Sequence, residues 1–259
     1  MKQGFVKVAS ATPRIRVADP VYNAQVICEQ AKEAAEHGAK IVVFPELCIT
    51  GYTCNDLFLQ ELLLEKAKEA LLTIAEETGQ LETLFLVGLP VDKDGRLYNV
   101  AAVLYRGRIL GMIPKKNIPM YAEFYEGRHF TPGEETVTEY RLGKQVIPFG
   151  SNLLFRCEEL PELILGCELC EDLWVAEPPS TSHALMGATV IANLSASNET
   201  VSKDDYRTLL IKASSARLLC GYIYTSAGEG ESTQDLVFGG HDLIAENGTL
   251  LVQSARFTT

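Results

Sequence analysis

The chain has 259 residues, of which 47% are hydrophobic and 22% charged, a composition typical of globular proteins. Its net charge of −11 disfavours nucleic acid and anionic membranes as partners, because both are negatively charged. The seven cysteines lack the spacing of a disulfide framework and indicate reduced thiols in a cytoplasmic protein. The opening residues read directly into a strand without a signal-peptide core, and no apolar run of 18 residues predicts a membrane span.

The first part of the chain alternates between strand and helix patterns. The predicted elements are strand Phe5–Ser10, helix Val21–His37, strand Lys40–Phe44, helix Asp56–Glu77 with an Asp cap, strand Leu84–Leu89 ended by Pro90, and the hairpin Asn99–Tyr105 with Arg108–Ile113. Residues 114–150 are predicted to be rich in loops.

The second part returns to the alternation. Its predicted elements are strands Asn152–Phe155 and Leu163–Cys167, helix Ser180–Met186, strand Ala188–Ala192, helix Lys203–Leu219, strand Tyr222–Ser226, and short strands Leu236–Gly239, His241–Ala245 and Thr249–Val252. Together the elements predict one mixed α/β sandwich with helices outside the sheets.

Cys170 ends an apolar strand in the run L-I-L-G-C-E-L-C-E-D-L-W-V. Acidic residues that favour a helix start follow it, so the thiol would sit on a sharp strand-to-helix turn with free backbone N–H groups nearby. Such a turn is typical of a nucleophile that forms a thioester. The alternative interpretation is a buried structural cysteine, and it fits the other candidates equally: Cys28, Cys157, Cys167 and Cys220.

Two further strand ends carry charged residues that suit this chemistry. Glu46 follows the apolar run I-V-V-F-P, and a carboxylate in such a place can act as general base and then as general acid. Lys115 lies in the proline-bracketed turn I-P-K-K-N-I-P, where an ammonium would stabilise an oxyanion. Each could instead be a solvated surface residue, and Lys116 competes with Lys115.

Metal and nucleotide sites find little support in the sequence. Cys167 and Cys170 form a C-x-x-C pair that fits a redox pair or half a zinc site, but no second pair stands at zinc spacing. Gly228 and Gly230 lie in an acidic segment without the lysine of a phosphate-binding loop. We therefore expect no metal.

Short and long motifs along the chain resemble one family. F-P-E-L, I-P-K and C-E-D-L-W resemble the nitrilase, or carbon–nitrogen hydrolase, superfamily with its Glu-Lys-Cys triad. Five longer runs, in order along the chain, are similar to the glutaminase domain of glutamine-dependent NAD synthetases: E-L-C-I-T-G-Y-T-C-N-D-L-F, P-x-Y-A-E-F-Y-E-x-R-x-F, C-E-D-L-W-V-x-x-P-P-S, A-N-L-S-A-S and S-A-G-E-G-E-S-T-x-D-L-V-F. The resemblance covers residues 1–259 and implies an α/β fold of nitrilase type, a four-layer α-β-β-α sandwich.

The resemblance also implies roles for single residues. It assigns the general base to Glu46, the lysine to Lys115, the nucleophile to Cys170, and a second glutamate that positions the lysine and substrate to Glu126. Positions that contact glutamine would be Tyr121, Ser197, Lys203 and Glu171, the last also offering its backbone N–H to the oxyanion. Two departures from the family pattern bear on the shape of the glutamine pocket: Lys116-Asn117-Ile118 lacks the aromatic residue that the family often has there, and Asn198 stands where the family often has proline.

The implied activity is hydrolysis of glutamine to glutamate and ammonia without a cofactor in this domain. The C-terminal synthetase domain, which would bind ATP and deamido-NAD and use the ammonia, is absent from this chain. The resemblance implies that domain as a partner and a homo-oligomer as the assembly. Two alternatives stay open: a stand-alone amidase for another small amide, and a non-catalytic assembly module.

Overall fold

A computed structural model describes residues 4–258 of the chain. Its strands are β1 (Val8–Ser10), β2 (Ile41–Val43), β3 (Leu84–Lys93), β4 (Arg96–Tyr105), β5 (Arg108–Pro114), β6 (Met120–Tyr121), β7 (Phe124–Tyr125), β8 (Thr138–Leu142), β9 (Gln145–Phe149), β10 (Leu154–Arg156), β11 (Ile164–Leu169), β12 (Val190–Ser195), β13 (Gly221–Ser226), β14 (Leu243–Glu246) and β15 (Thr249–Gln253). Its α-helices are α1 (Pro20–Glu36), α2 (Glu61–Glu77), α3 (Pro179–Leu185) and α4 (Lys203–Leu218). Short 3-10 helices cover Tyr52–Leu59, Glu126–Arg128 and Cys170–Leu173. None of the described helices is long and apolar enough to cross a membrane.

Two sheets form the centre of the fold. The first has the strand order β1-β2-β3-β4-β5-β9-β8, and the second has the order β10-β11-β12-β13-β14-β15. Parallel strands occupy one side of the first sheet, β1 to β3, and the middle of the second, β11 to β13, while antiparallel hairpins complete both. β6 and β7 pair separately as a small ribbon.

Three clusters of buried side chains in the described part of the chain lie between four layers. On β2, Val42 packs with residues of α1 and α2 such as Ile27 and Leu71. Its neighbours Ile41 and Val43 face the opposite way and pack against strands of the second sheet, because successive side chains of a strand point to opposite faces. A third core joins the second sheet to α4. These layers confirm the predicted four-layer α-β-β-α sandwich.

The helix predicted at Asp56–Glu77 begins later than expected. Asp56 does not cap it; the carboxylate accepts hydrogen bonds from Arg128 at 2.7 and 2.8 Å, and α2 starts at Glu61. Asn55 has a left-handed φ of 49°, which breaks any continuous helix through residues 52–59. This segment instead forms short 3-10 turns separated by a kink, beside the candidate site.

Pro90 does not end its strand, contrary to the prediction. The carbonyl groups of Leu86 and Gly88 accept hydrogen bonds from the segment that follows β2, so Pro90, two residues further on, turns its nitrogen to the same side. β2 pairs with β3 only as far as Leu86, so the missing N–H of Pro90 costs no ladder bond. β3 therefore continues and pairs with β4 along its whole length.

Two further predictions near the sheet edges were wrong. Residues 114–150, predicted only to be rich in loops, contain the hairpin β8–β9, which extends the first sheet; its alternating buried residues are Tyr140, Leu142, Ile147 and Phe149. The strand predicted at Leu236–Gly239 is only a single bridge between Phe238 and Asn198.

Candidate active site

Three strand ends meet at one edge of the sandwich. Glu46 follows β2, Lys115 follows β5 and Cys170 follows β11. The Glu46 backbone N–H donates to the carbonyl of Ser195 at the end of β12, which joins the two sheets at this point. On β3, Gly88 lets the turn around Glu46 cross closely, because a Cβ there would lie 2.3 Å from the backbone nitrogen of Leu47.

Glu46, Lys115 and Glu126 form a buried, hydrogen-bonded acid–lysine cluster. Lys115 Nζ donates to Glu46 Oε1 at 2.7 Å and to Glu126 Oε1 and Oε2 at 2.7 and 2.9 Å. The side chains of Glu46 and Lys115 are fully buried. The three residues that the sequence predicted as general base, lysine and second glutamate therefore lie in direct contact.

The charged groups of this cluster shift one another's pKa values. Burial alone would lower the pKa of Lys115, but the carboxylates of Glu126 and Glu46 outweigh it and raise that pKa well above its usual range. Burial raises the pKa of Glu126 and Lys115 opposes this shift. The lysine therefore stays an ammonium at neutral pH.

Two residues that the sequence analysis did not select complete the cluster. Asn99 Nδ2 donates to Glu46 Oε1 at 2.7 Å, and the hydroxyl of Tyr52 donates to Glu126 Oε1 at 2.9 Å. Asn99 could have been found as the one amide in the apolar run of β4, whereas Tyr52 gives no such signal. Glu46 Oε2 is buried and has no hydrogen-bond donor among the described residues, so one carboxylate oxygen is left to accept a proton.

Cys170 sits on a strained turn between β11 and a 3-10 helix. Its φ of 39° is left-handed, a region that non-glycine residues rarely adopt and that often marks functional turns. Asp172 fixes the turn by accepting from the Leu169 N–H at 3.0 Å. The same carboxylate accepts from the N–H and the Nδ2 of Asn117, both at 2.8 Å, and so ties the turn to the segment after Lys115.

The thiol of Cys170 is protonated at rest. Burial and then the charge of Glu46 raise its pKa, while Lys115 lowers it only in part. The ammonium therefore does not produce a resting thiolate, and attack on a carbonyl needs a base to remove the proton. These electrostatic effects also mean that Glu46, Lys115 and Cys170 share one environment.

The competing residues lie elsewhere. Lys116 is partly exposed and pairs with Glu135 at the surface. Cys167 is buried in the core between the two sheets, and all seven cysteines are free thiols.

A pocket of about 430 Å³ opens over Cys170. Its lining includes the four residues predicted to contact substrate: Tyr121, Glu171, Ser197 and Lys203. The Tyr121 hydroxyl donates to the Glu171 carboxylate at 2.9 Å, and Lys203 Nζ lies 5.3 Å from the ring centre of Trp174. The pocket thus presents both signs of charge beside aromatic rings.

Arg207 supports the wall of this pocket and was missed by the sequence analysis. It is fully buried and its Nη2 donates to Ser197 Oγ at 3.2 Å and to the carbonyl of Asn198 at 3.1 Å. Its Nη1 pairs with Glu199 at 2.9 Å. A buried arginine on an otherwise polar helix has no distinct sequence pattern, since arginines usually lie on the surface.

Comparison with known proteins finds one family along nearly the whole chain. A family model described as carbon-nitrogen hydrolase matches residues 7–259. The chain is 43% identical over 256 residues to a glutamine-dependent NAD(+) synthetase of Mycobacterium bovis, covering 99% of this chain and 38% of that protein. It is 32% identical over 249 residues to the synthetase of Thermotoga maritima, covering 95% of this chain and 39% of that protein.

Solved structures agree with the fold. The crystal structure of a glutamine-dependent NAD(+) synthetase from Cytophaga hutchinsonii superposes with a TM-score of 0.88 at 29% identity and covers 98% of this chain and 41% of the other. An amidase from Nesterenkonia sp. shares the fold with a TM-score of 0.75 at 20% identity, covering 98% of this chain and 88% of the other. The chain thus spans about two fifths of the length of the synthetases it matches.

Proposed function

The chain belongs to the carbon–nitrogen hydrolase family, and from this we propose that it hydrolyses the side-chain amide of glutamine to glutamate and ammonia through a thioester on Cys170. The observation that carries the proposal is the buried cluster of Glu46, Lys115 and Glu126 at the Cys170 turn. Glu46, Lys115 and Glu126 all act electrostatically on the Cys170 thiol, and a base, a cation and a nucleophile in one environment are the groups that acyl transfer requires.

In the first half of the reaction, Cys170 Sγ attacks the amide carbon while Glu46 takes the thiol proton. Glu46 Oε2 suits this role, because Oε1 is already bound by Lys115 and Asn99. The carbonyl oxygen becomes an oxyanion, which the Lys115 ammonium and the backbone N–H of Glu171 would stabilise. Glu126 holds the lysine from the other side.

In the second half, the tetrahedral intermediate collapses and the C–N bond breaks. Glu46 returns its proton to the departing nitrogen, and ammonia leaves. Glu46 then deprotonates a water molecule that attacks the thioester carbon; as the C–S bond breaks, Glu46 returns this proton to the Cys170 sulfur, which restores the thiol and releases glutamate. A thiol, a carboxylate and an ammonium supply every proton and charge, so the half-reaction requires neither metal nor organic cofactor.

Substrate recognition would use the pocket walls. Glutamine carries a carboxylate and an ammonium at the end away from its amide. Lys203 offers a cation for the first, and Glu171, paired with Tyr121, offers an anion for the second. Ser197, held by Arg207, offers a hydroxyl beside them.

The similarity to glutamine-dependent NAD(+) synthetases supports a wider proposal. Ammonia made here would pass to a synthetase domain that uses ATP to amidate deamido-NAD. The free thiols support a reducing, cytoplasmic setting. The homo-oligomer stays a prediction, which light scattering of the purified chain would test.

The test is ammonia release from a panel of glutamine, asparagine and short aliphatic amides. We expect glutamine to be preferred and Cys170→Ala to remove turnover by several orders of magnitude while the fold is kept. Cys167→Ala is the matched control and should keep the activity, since that thiol lies in the core between the sheets. Near-normal turnover by Cys170→Ala would refute the mechanism, and faster turnover of aliphatic amides would favour the stand-alone amidase.

A further inference from the structure

Glu126 is held in place from outside the cluster. It lies in the 3-10 turn Glu126–Arg128, on a segment whose neighbouring strands β6 and β7 have only two residues each. Its carboxylate accepts from Lys115 at 2.7 Å and from the Tyr52 hydroxyl at 2.9 Å. The position of Tyr52 therefore decides where Glu126, and with it Lys115, can lie.

Tyr52 begins a 3-10 helix that has no side-chain cap of its own. The residue before it is Gly51, with φ of 86° and no side chain to accept from the first N–H groups. Such groups at a helix start need an acceptor, which is usually the side chain of the N-cap residue. Here the acceptor comes from far along the chain.

Glu231 caps this turn from a distance of 179 residues. Its Oε1 accepts from the Tyr52 N–H at 2.6 Å, and its Oε2 accepts from the N–H and the hydroxyl of Thr53 at 3.0 and 2.6 Å. Glu231 is itself buried. A buried carboxylate with three donors is a strong and specific contact, since hydrogen bonds to a charged group are the stronger kind.

The backbone around Glu231 is fixed as well. Gly230 has φ of 103°, and a Cβ there would lie 1.9 Å from the carbonyl oxygen of Ile15. The Ile15 N–H donates to the carbonyl of Glu229 at 3.2 Å. The segment thus packs closely against Ile15, which restricts the backbone conformation next to Glu231.

We propose that Glu231 is a positioning residue for amide hydrolysis, which acts through Tyr52 on the Glu126 carboxylate and so keeps the Lys115 ammonium where the oxyanion forms. The inference rests on the proposed function. Glu231 does not line the pocket over Cys170, so its loss should slow the chemical steps without weakening substrate binding. A residue that merely stabilised the fold would not separate these two effects.

The experiment measures kcat and KM for glutamine in Glu231→Gln, Tyr52→Phe and the double variant. In Glu231→Gln, the side-chain amide would place an N–H donor against a backbone N–H donor of Tyr52 or Thr53. Displacements of about 1 Å in such a site cost up to about 100-fold in rate. We expect kcat to fall by at least about tenfold in each single variant with KM within about twofold. The double variant should lose no more than about the larger single loss, because both changes break the same chain of contacts.

Glu229→Gln is the matched control, because that carboxylate pairs with exposed Arg14 at 2.9 Å, and it should keep the normal kcat. The inference would be overturned by a kcat of Glu231→Gln within about twofold of normal, or by a loss in the double variant equal to the product of the two single losses. If Cys170→Ala is inactive in the same assay, the proposed function still stands. An active Cys170→Ala would overturn both. If Glu231→Gln does not fold, Thr53→Ala replaces it; a lowered kcat at normal KM supports the inference, and a normal kcat overturns it.

Discussion

Replacing Lys115 by Met should destabilise the fold in a way that depends on pH. The change removes the cation that lies 2.7 Å from both Glu46 and Glu126. At an effective dielectric constant of about 20, each contact is worth about 6 kcal/mol, against a desolvation cost of several kcal/mol for each buried ion. Methionine fills similar space but leaves two buried carboxylates facing each other.

The variant can relieve the repulsion between these carboxylates in one way, which sets the size of the loss in stability. One carboxylate can take up a proton, and this costs about 1.4 kcal/mol for each pH unit above the usual glutamate pKa of about 4.3. At pH 7 the cost is about 3.7 kcal/mol, and at pH 5 it is about 1 kcal/mol. The first value agrees with the loss of about 3–5 kcal/mol expected when a buried ion pair loses one partner.

The direction of the pH dependence follows from the carboxyl pKa in the folded and unfolded states. In the folded variant a carboxyl pKa is raised above its unfolded value, because the opposing effect of Lys115 on Glu126 is gone. The stability is then fully present below about pH 4.3 and falls as the pH rises towards the folded pKa. Between pH 5 and 8 the free energy of unfolding should fall by about 1.4 kcal/mol per pH unit relative to the unmodified chain.

Urea unfolding followed by circular dichroism at several pH values from 5 to 8 measures this slope. Lys116→Met is the control: that side chain forms a surface pair with Glu135, so its loss should cost less than about 1 kcal/mol at every pH. A loss below about 1 kcal/mol at pH 7 for Lys115→Met, or a loss equal at pH 5 and 8, would refute the reasoning.

Three further outcomes are expected. Gly230→Ala should lower the free energy of unfolding by more than about 2 kcal/mol, since its Cβ would meet the Ile15 carbonyl, whereas Gly95→Ala, with positive φ but open space, should cost only about 1 kcal/mol; chemical denaturation compares them, and equal losses would contradict the assignment. Alkylation of Cys170 by iodoacetamide, followed by peptide mass spectrometry, should rise by about tenfold per pH unit from pH 7 to 9, because burial and Glu46 raise the thiol pKa; a plateau below pH 8 would argue against this. The chain alone should hydrolyse glutamine more slowly than a full-length synthetase relative supplied with ATP and deamido-NAD, since coupling between domains is expected; equal turnover would favour the stand-alone amidase.

Much of the fold could be predicted from local sequence patterns. Helix α1 follows its prediction because Asp19 caps it and apolar residues recur at helical spacing. The hairpin β8–β9 was missed although its residues alternate, since aromatic loops around it obscured the pattern. Asp56 was misassigned as a cap because its true partner, Arg128, is 72 residues away, and no local rule identifies such a partner.

The site shows the same difference between residues marked by local patterns and residues that act through long-range contacts. Glu46, Lys115 and Cys170 each follow a strand, and strand ends are visible in the sequence. Tyr52 and Glu231 act through contacts that join distant segments, so their roles appear only in three dimensions.

Each sheet of the sandwich is built from its own half of the chain: the strands of the first all lie before residue 150, and those of the second all lie after residue 153. Glu46 and Lys115 belong to the first half and Cys170 to the second. A cut in the connecting turn would therefore yield two fragments, one with the base and one with the nucleophile. If the chain hydrolyses glutamine as proposed, ammonia production by the recombined fragments would report the association of the two halves, and a nascent chain whose sheets have not yet packed together would be inactive.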